Sequence, residues 1–147
     1  SSRLNVFFQR LKIFNLLCYP KVLLGRSIKS KEAAIFKLTC NTRPVPNKII
    51  QNWANIQQQH PVAPTNQLRQ LITASLFKPP TKAQLPKVHI LYSLADRLVS
   101  PQCSEKLIDY LDASFDKHLW AGHDISQDDP EWIADKIIQQ IKKREAI

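Results

Sequence analysis

The apolar positions of this chain fall into three blocks with different periods. In the first, residues 1–82, they recur at helical spacing between proline-marked breaks. Leu4, Phe7, Phe8, Leu11 and Phe14 predict one helix, and Ala33, Ala34, Phe36 and Leu38 a short second one with Ser30 as its N-cap. Ile49, Ile50, Trp53, Ala54 and Ile56 predict a third, started by Pro46. Leu68, Leu71, Ile72 and Leu76 predict a fourth, after the break at residues 60–64 and closed by Pro79-Pro80.

The period then changes. Lys87–Ser93 reads as a β-branched and apolar parallel strand without a break. Ser100-Pro101 offers an N-cap followed by proline at the first helical position, and Leu107, Ile108 and Leu111 give that helix an inner face. Phe115–Trp120 reads as the returning strand, so the block is a parallel βαβ unit whose crossover should be right-handed. The last block is a helix begun by Asp129-Pro130-Glu131, striped by Ile133, Ala134, Ile137, Ile138 and Ile141, and closed by Lys142-Lys143-Arg144 at the negative end of its dipole. The fold class is therefore α/β: a βαβ unit and a C-terminal helix behind a mainly helical segment.

Charge divides the chain along the same line. Residues 1–90 carry 14 of the 21 basic side chains and a single acid, Glu32, a balance of +13; residues 91–147 carry seven basic and eleven acidic ones, a balance of −4. A basic lid complementing an acidic body, or a lid that attracts anionic substrates, would account for this. Contact with an anionic membrane is the alternative: Phe7, Phe8 and Leu11 beside Arg3, Arg10 and Lys12 resemble one side of an interfacial helix. Nucleic acid is not expected as a partner, because no reader motif accompanies the charge. No run of 18 apolar residues exists to span a membrane. No secretory signal opens the sequence, so a cytoplasmic location is expected, with a signal upstream of Ser1 left open. Cys18, Cys40 and Cys103 are odd in number and widely spaced, which speaks against a disulfide framework or a zinc site and for a reducing compartment.

Two residues of the βαβ block carry chemistry. Asp96 lies just past the first predicted strand, and His123, in Gly122-His123-Asp124, just past the second. In open α/β sheets functional groups collect at the carboxyl ends of strands. A carboxylate against one imidazole nitrogen sets the tautomer, leaving the other nitrogen to take a proton from a nucleophile. Gly122 would let the chain turn sharply off the strand. Ser93, Ser100 and Ser126 stand nearby, but none is flanked by glycines as a nucleophile elbow requires; they read as a strand end, a helix cap and a loop residue. Asp124, Asp128 and Asp129 lack calcium-loop spacing and read as solvated loop carboxylates plus a cap, with no metal and no cofactor expected. His60 reads as a surface histidine, His89 and His118 as strand packing positions, and Trp53, Trp120 and Trp132 as core or cap packing.

The run Leu85-Pro86-Lys87-Val88-His89-Ile90-Leu91-Tyr92-Ser93-Leu94-Ala95-Asp96-Arg97-Leu98-Val99-Ser100-Pro101 resembles the acid-bearing strand and loop of the α/β-hydrolase superfamily. His118-Leu119-Trp120-Ala121-Gly122-His123-Asp124, with Asp128-Asp129-Pro130-Glu131-Trp132, is similar to the histidine loop and final helix of that family. The order, acid before histidine, is the family's order after its nucleophile. The resemblance implies that residues 1–82 are the end of a core strand and a helical cap, and residues 83–147 the C-terminal part of the hydrolase core. It implies Asp96 as triad acid and His123 as general base of a serine hydrolase acting on an ester, thioester or similar acyl bond of a small molecule. The sequence departs from the family in one respect: Gly25 and Gly122 are its only glycines, so it contains no Gly-x-Ser-x-Gly. The nucleophile and oxyanion hole are expected upstream of Ser1. The competing expectation is a truncated or pseudoenzyme module that binds without catalysing.

Overall fold

In a computed structural model of the chain, the described residues are 27–63, 65–66, 69–70, 72–73 and 86–145. The first predicted helix, the expected end of a core strand at the start of residues 1–82, Cys18, and Leu68, Leu71, Leu76 and Pro79-Pro80 of the fourth helix lie outside them. Residues 65–66, 69–70 and 72–73 of that fourth segment are helical. The chain divides into two units, residues 1–38 with 43–85, and residues 39–42 with 86–147.

In the first unit, α1 (Ile28–Thr39) and α2 (Asn47–Gln59) are the long described helices. Helix α1 starts earlier than the apolar pattern indicates. Its cap is Ser27, not Ser30: the Ser27 hydroxyl accepts from the Ser30 amide and the Ser30 hydroxyl accepts from the Ser27 amide, both at 3.1 Å. This reciprocal pair satisfies two amides that the first turn leaves without helical partners. Pro46 stands at the start of α2 as expected, and its carbonyl receives the first helical bond, from Ile50. Ile50 and Ala54 are buried, and Trp53 tilts against the fully buried Phe36 at 5.6 Å between ring centres. Burying a Phe36-sized side chain contributes about 2–3 kcal/mol. Ile56 falls outside this face and is half-exposed.

The second unit is the mixed helix–sheet part. Strands β1 (His89–Ser93) and β2 (Ser114–His118) pair in parallel, from His89 opposite Ser114 to Ser93 opposite His118. Parallel pairing needs a crossover, and α3 (Pro101–Leu111) supplies it. Ser100 occupies the cap position of α3 in an extended conformation but makes no side-chain capping bond; Pro101 at the first helical position sets the start. Asp112 ends the helix in the left-handed region, at φ 53°, which a short polar side chain tolerates. Of the expected inner face Ile108 is buried, while Leu107 is partly exposed.

Strand β2 begins and ends earlier than Phe115–Trp120. Its end is set by His118, whose side chain captures the amides that would otherwise continue the ladder. A short helix, α4 (Ile125–Asp128), and the long α5 (Pro130–Glu145) follow. Helix α5 starts as the sequence indicates: the Asp129 carboxylate accepts from the Trp132 amide at 3.0 Å, with Pro130 between. Its isoleucine stripe is not buried. Ile137, Ile138 and Ile141 are each about half-exposed, and Ile137 and Ile141 line an open cavity of about 240 Å³ with His89 and Leu91 of β1. A two-stranded sheet presents too little surface to cover a four-turn helix. Among the described residues, no helix is long and apolar enough to cross a membrane.

Candidate functional site

The acid loop is built from Ser93 onward. The buried Ser93 hydroxyl donates to the Ala121 carbonyl at 2.5 Å and accepts from the Ala95 amide at 3.2 Å, which starts the turn off β1. Asp96 then folds back on its own loop: Oδ1 accepts from the Leu98 and Val99 amides at 2.8 and 2.9 Å, the way aspartate stabilises a turn. This leaves Oδ2 for His123, whose Nδ1 lies 2.8 Å away. Burial would raise the Asp96 pKa, but the His123 bond and the Val99 and Leu98 amides outweigh it and hold the carboxyl below its ordinary range. An ionised carboxylate only accepts, so the Asp96 bond assigns the imidazole proton to Nδ1.

The histidine loop rests on His118. This side chain is buried, and its Nδ1 accepts from the Ala121 amide at 3.0 Å and, more loosely, from Trp120 at 3.4 Å. With Nδ1 accepting, the proton is on Nε2, which donates to Asp129 at 3.1 Å. The edges of Trp120 and Trp132 pack against the ring at 5.3 and 4.8 Å. His118 is thus a hydrogen-bonding hub and not a plain packing residue; Trp132 packs as expected, while Trp120 is about half-exposed. His89 is likewise bonded, to Ser114 through Nδ1 at 2.8 Å and to Asp116 through Nε2 at 3.1 Å.

Gly122 is required for space. Its φ is not positive, so the expected sharp turn is not the reason for glycine. A Cβ there would lie 2.3 Å from the Thr39 carbonyl oxygen and 3.0 Å from the Cys40 Cα, both backbone atoms. Gly122→Ala is therefore expected to cost roughly 1–3 kcal/mol by forced displacement. Urea unfolding checks this; unchanged stability would show that residues 39–40 give way without penalty. The Asp124 amide, two residues on, donates to the same Thr39 carbonyl at 3.0 Å.

Asp128 is the residue that sequence reading misjudged. In place of a solvated carboxylate, the structure shows one that accepts four bonds: from the Asn41 amide at 2.7 Å, the Thr42 amide at 2.9 Å, the Thr42 hydroxyl at 2.7 Å and the Gly122 amide at 2.6 Å. Burial opposes ionisation, but the Asn41, Gly122 and Thr42 donors together hold its pKa low. The available signal was a surplus: Asp129 suffices to cap α5, leaving the preceding acid without a local task.

The other candidates do not join the pair. Ser126 donates to Asp124, and the Asp124 carboxylate caps α4 through the Gln127 amide. Ser93 is committed to Ala121, and among the described residues no hydrogen bond links Ser93, Ser100 or Ser126 to His123. His60 is an exposed residue at the end of α2. Asp124, Asp128 and Asp129 are spent on separate caps and clamps, and among the described residues no group of three or more His, Cys, Asp or Glu could hold a metal ion. Cys40 is buried, with its sulfur 3.5 Å from the Thr39 hydroxyl.

What remains is a coupled acid–imidazole pair at the carboxyl ends of two parallel strands. His123 is 44% exposed and Asp96 14%, and His123 Nε2 makes no hydrogen bond to a described residue. The Asp96 bond raises the imidazole pKa against the opposing effect of burial, with the Asp96 and Asp124 charges adding to the rise. In comparison with known proteins, the chain matches no protein-family model and no curated sequence.

His123 is therefore expected to titrate above the ordinary histidine value of about 6.5, and to fall back toward it in Asp96→Asn; histidine NMR titration reads both. The pair's contribution to stability has a window on each side. The raised His123 pKa gives stability present below about 6.5 and lost as pH rises through the folded value, and the lowered Asp96 pKa gives stability present above about 3.9 and lost as pH falls through its folded value. A His123 titration at or below about 6.5 would show that the bond to an ionised Asp96 does not form in solution.

Proposed function

We propose that the chain is the C-terminal part of an α/β-hydrolase, and that the whole protein is a serine hydrolase acting on an ester, thioester or similar acyl bond. The observation that carries this reading is the 2.8 Å bond from His123 Nδ1 to Asp96 Oδ2, which leaves Nε2 free of described partners on an exposed imidazole. A histidine so held accepts a proton from a nucleophilic hydroxyl and returns it to the leaving group, while the carboxylate fixes the tautomer and stabilises the imidazolium. The acid–base order along the chain supports the family resemblance, and the parallel strands behind both loops are compatible with it. The nucleophile is a serine on a Gly-x-Ser-x-Gly elbow that these 147 residues do not contain. In this reading residues 1–82 form a basic cap that encloses the acyl group and limits water. The substrate is a small acyl compound, the location is cytoplasmic, and no metal or cofactor enters the reaction.

The test is hydrolysis of short-chain p-nitrophenyl esters by the whole protein with His123 or Asp96 replaced: loss of turnover in a folded protein supports the reading, and unchanged turnover overturns it. The missing elbow favours a second reading, binding without catalysis. Stoichiometric labelling of the full chain by a serine-directed fluorophosphonate excludes that second reading.

A further inference from the structure

We propose that residues Thr39–Thr42 set the separation of the acid and histidine loops, and that Asn41 is a positioning residue for the Asp96–His123 pair. The inference rests on the hydrolase reading for its catalytic consequence, but its geometry does not depend on that reading.

The two strands hold each other as far as their ends. The Leu94 amide donates to the His118 carbonyl at 2.9 Å, and beyond that point the chains leave the ladder into the loops that carry Asp96 and His123. The Asn41 side chain continues the linkage. Its amide nitrogen donates to the Ala95 carbonyl at 3.1 Å and to the Trp120 carbonyl at 2.8 Å. Ala95 is bonded directly to Asp96, and Trp120 lies three residues before His123. Two carbonyl oxygens facing one group demand a donor with two hydrogens; the primary amide of asparagine has them, while a carboxylate would meet both carbonyls as an acceptor.

The rest of the segment braces the same two loops. The Thr39 carbonyl accepts from Asp124, next to His123. The Cys40 carbonyl accepts from the Arg97 guanidinium, next to Asp96, at 2.9 Å. The Asn41 and Gly122 amides share one oxygen of Asp128. Each loop is thus tied to residues 39–42 on the residue adjoining its functional side chain. A strand ladder fixes the distance between its two chains by repeated bonds, but both loops lie beyond the end of the ladder. A third stretch of chain bonded to both is what fixes their distance.

The test uses the whole protein with Asn41→Ala, which removes both donors, and Asn41→Gln, which keeps the amide on a longer stem. Three quantities are read: the His123 titration and its Nδ1–H proton signal by NMR, and kcat against KM for a short-chain p-nitrophenyl ester. In Asn41→Ala the His123 pKa should fall toward about 6.5 and the Nδ1–H signal weaken. Turnover should fall about 10–100-fold, the size expected of an ångström-scale misplacement, with KM changed less than about twofold. Asn41→Gln should move the same quantities in the same direction. Either variant folded with wild-type titration and kcat overturns the proposal. So does failure of both to fold, because the segment would then serve the fold at large and not the pair. If Asn41→Ala shifts the His123 titration while His123→Ala leaves ester hydrolysis untouched, the positioning stands and the hydrolase reading falls. If hydrolysis requires His123 but ignores Asn41, the reverse holds.

Discussion

Replacing His123 by alanine in the whole protein is expected to lower acyl-ester turnover by at least about a thousandfold, and Asp96→Asn by on the order of ten thousandfold. The two substitutions act at different points of one relay. Without the imidazole no group takes the nucleophile's proton at neutral pH. In Asp96→Asn the imidazole remains, but the new amide can donate to Nδ1 where the carboxylate accepted, which drives the imidazole proton to Nε2 and leaves no lone pair facing the nucleophile. The Leu98 and Val99 amides still meet an oxygen acceptor in that variant, as they do in Asp96 itself. The loop should therefore hold and the loss should be one of kcat, with KM little changed. The acid limb of the wild-type rate profile should follow the raised His123 pKa and therefore lie above about 6.5. Steady-state kinetics with circular dichroism on the same samples decides the matter. Folded variants with wild-type turnover would end the assignment of both residues.

The second large effect is structural. Asp128→Ala is expected to destabilise the protein by about 2–4 kcal/mol, because three backbone amides and a hydroxyl lose a charged acceptor together and only water can replace it. Asp128→Asn keeps one carbonyl oxygen and should cost about half as much. The measurement is the urea midpoint at constant slope. The pH dependence follows from the sign of the shift. The folded pKa of Asp128 is below its ordinary value, so its contribution is present above about 3.9 and disappears as pH falls through the folded value. Wild type should therefore lose stability below about pH 4 more steeply than Asp128→Ala. Equal acid sensitivity of the two proteins would show that the carboxylate is not held ionised by these donors.

Much of the local structure was legible in the residues. Asp129-Pro130 marks the start of α5 because an Asx cap and a proline at the first helical position each solve a problem that the first turn poses by itself. The same holds for Pro101 in α3, while Pro46 stands one position earlier, at the N-cap of α2. Strand β1 follows from a run of side chains suited to a pleated surface. Edges were less legible: β2 stops at His118 because that side chain captures the Trp120 and Ala121 amides, an event that propensity does not encode. Ser30 was read as a cap where Ser27 is one, since a reciprocal pair of serines reads the same from either end. The stripe of α5 was legible as a stripe, but its exposure was not, because burial depends on how much sheet lies opposite.

Asp96 and His123 stand out in the sequence by position alone, each just past a strand. Parallel pairing in register places both strand ends side by side, and the Asp96–His123 contact at 2.8 Å forms beyond the end of that ladder. Asp128, Gly122 and Asn41 could not be found this way. Each owes its role to the return of residues 39–42, which lie 54 to 87 positions away from the groups they bond. By itself the sequence determined the long described helices, the capped start of α5, the βαβ order and the two residues at the strand ends, because these rest on interactions among near neighbours. Only the tertiary structure decided what holds those two residues together. A hydrogen bond across so many residues leaves no period or spacing in the chain, and the donors and acceptors that form it are ordinary until the fold brings them within about 3 Å.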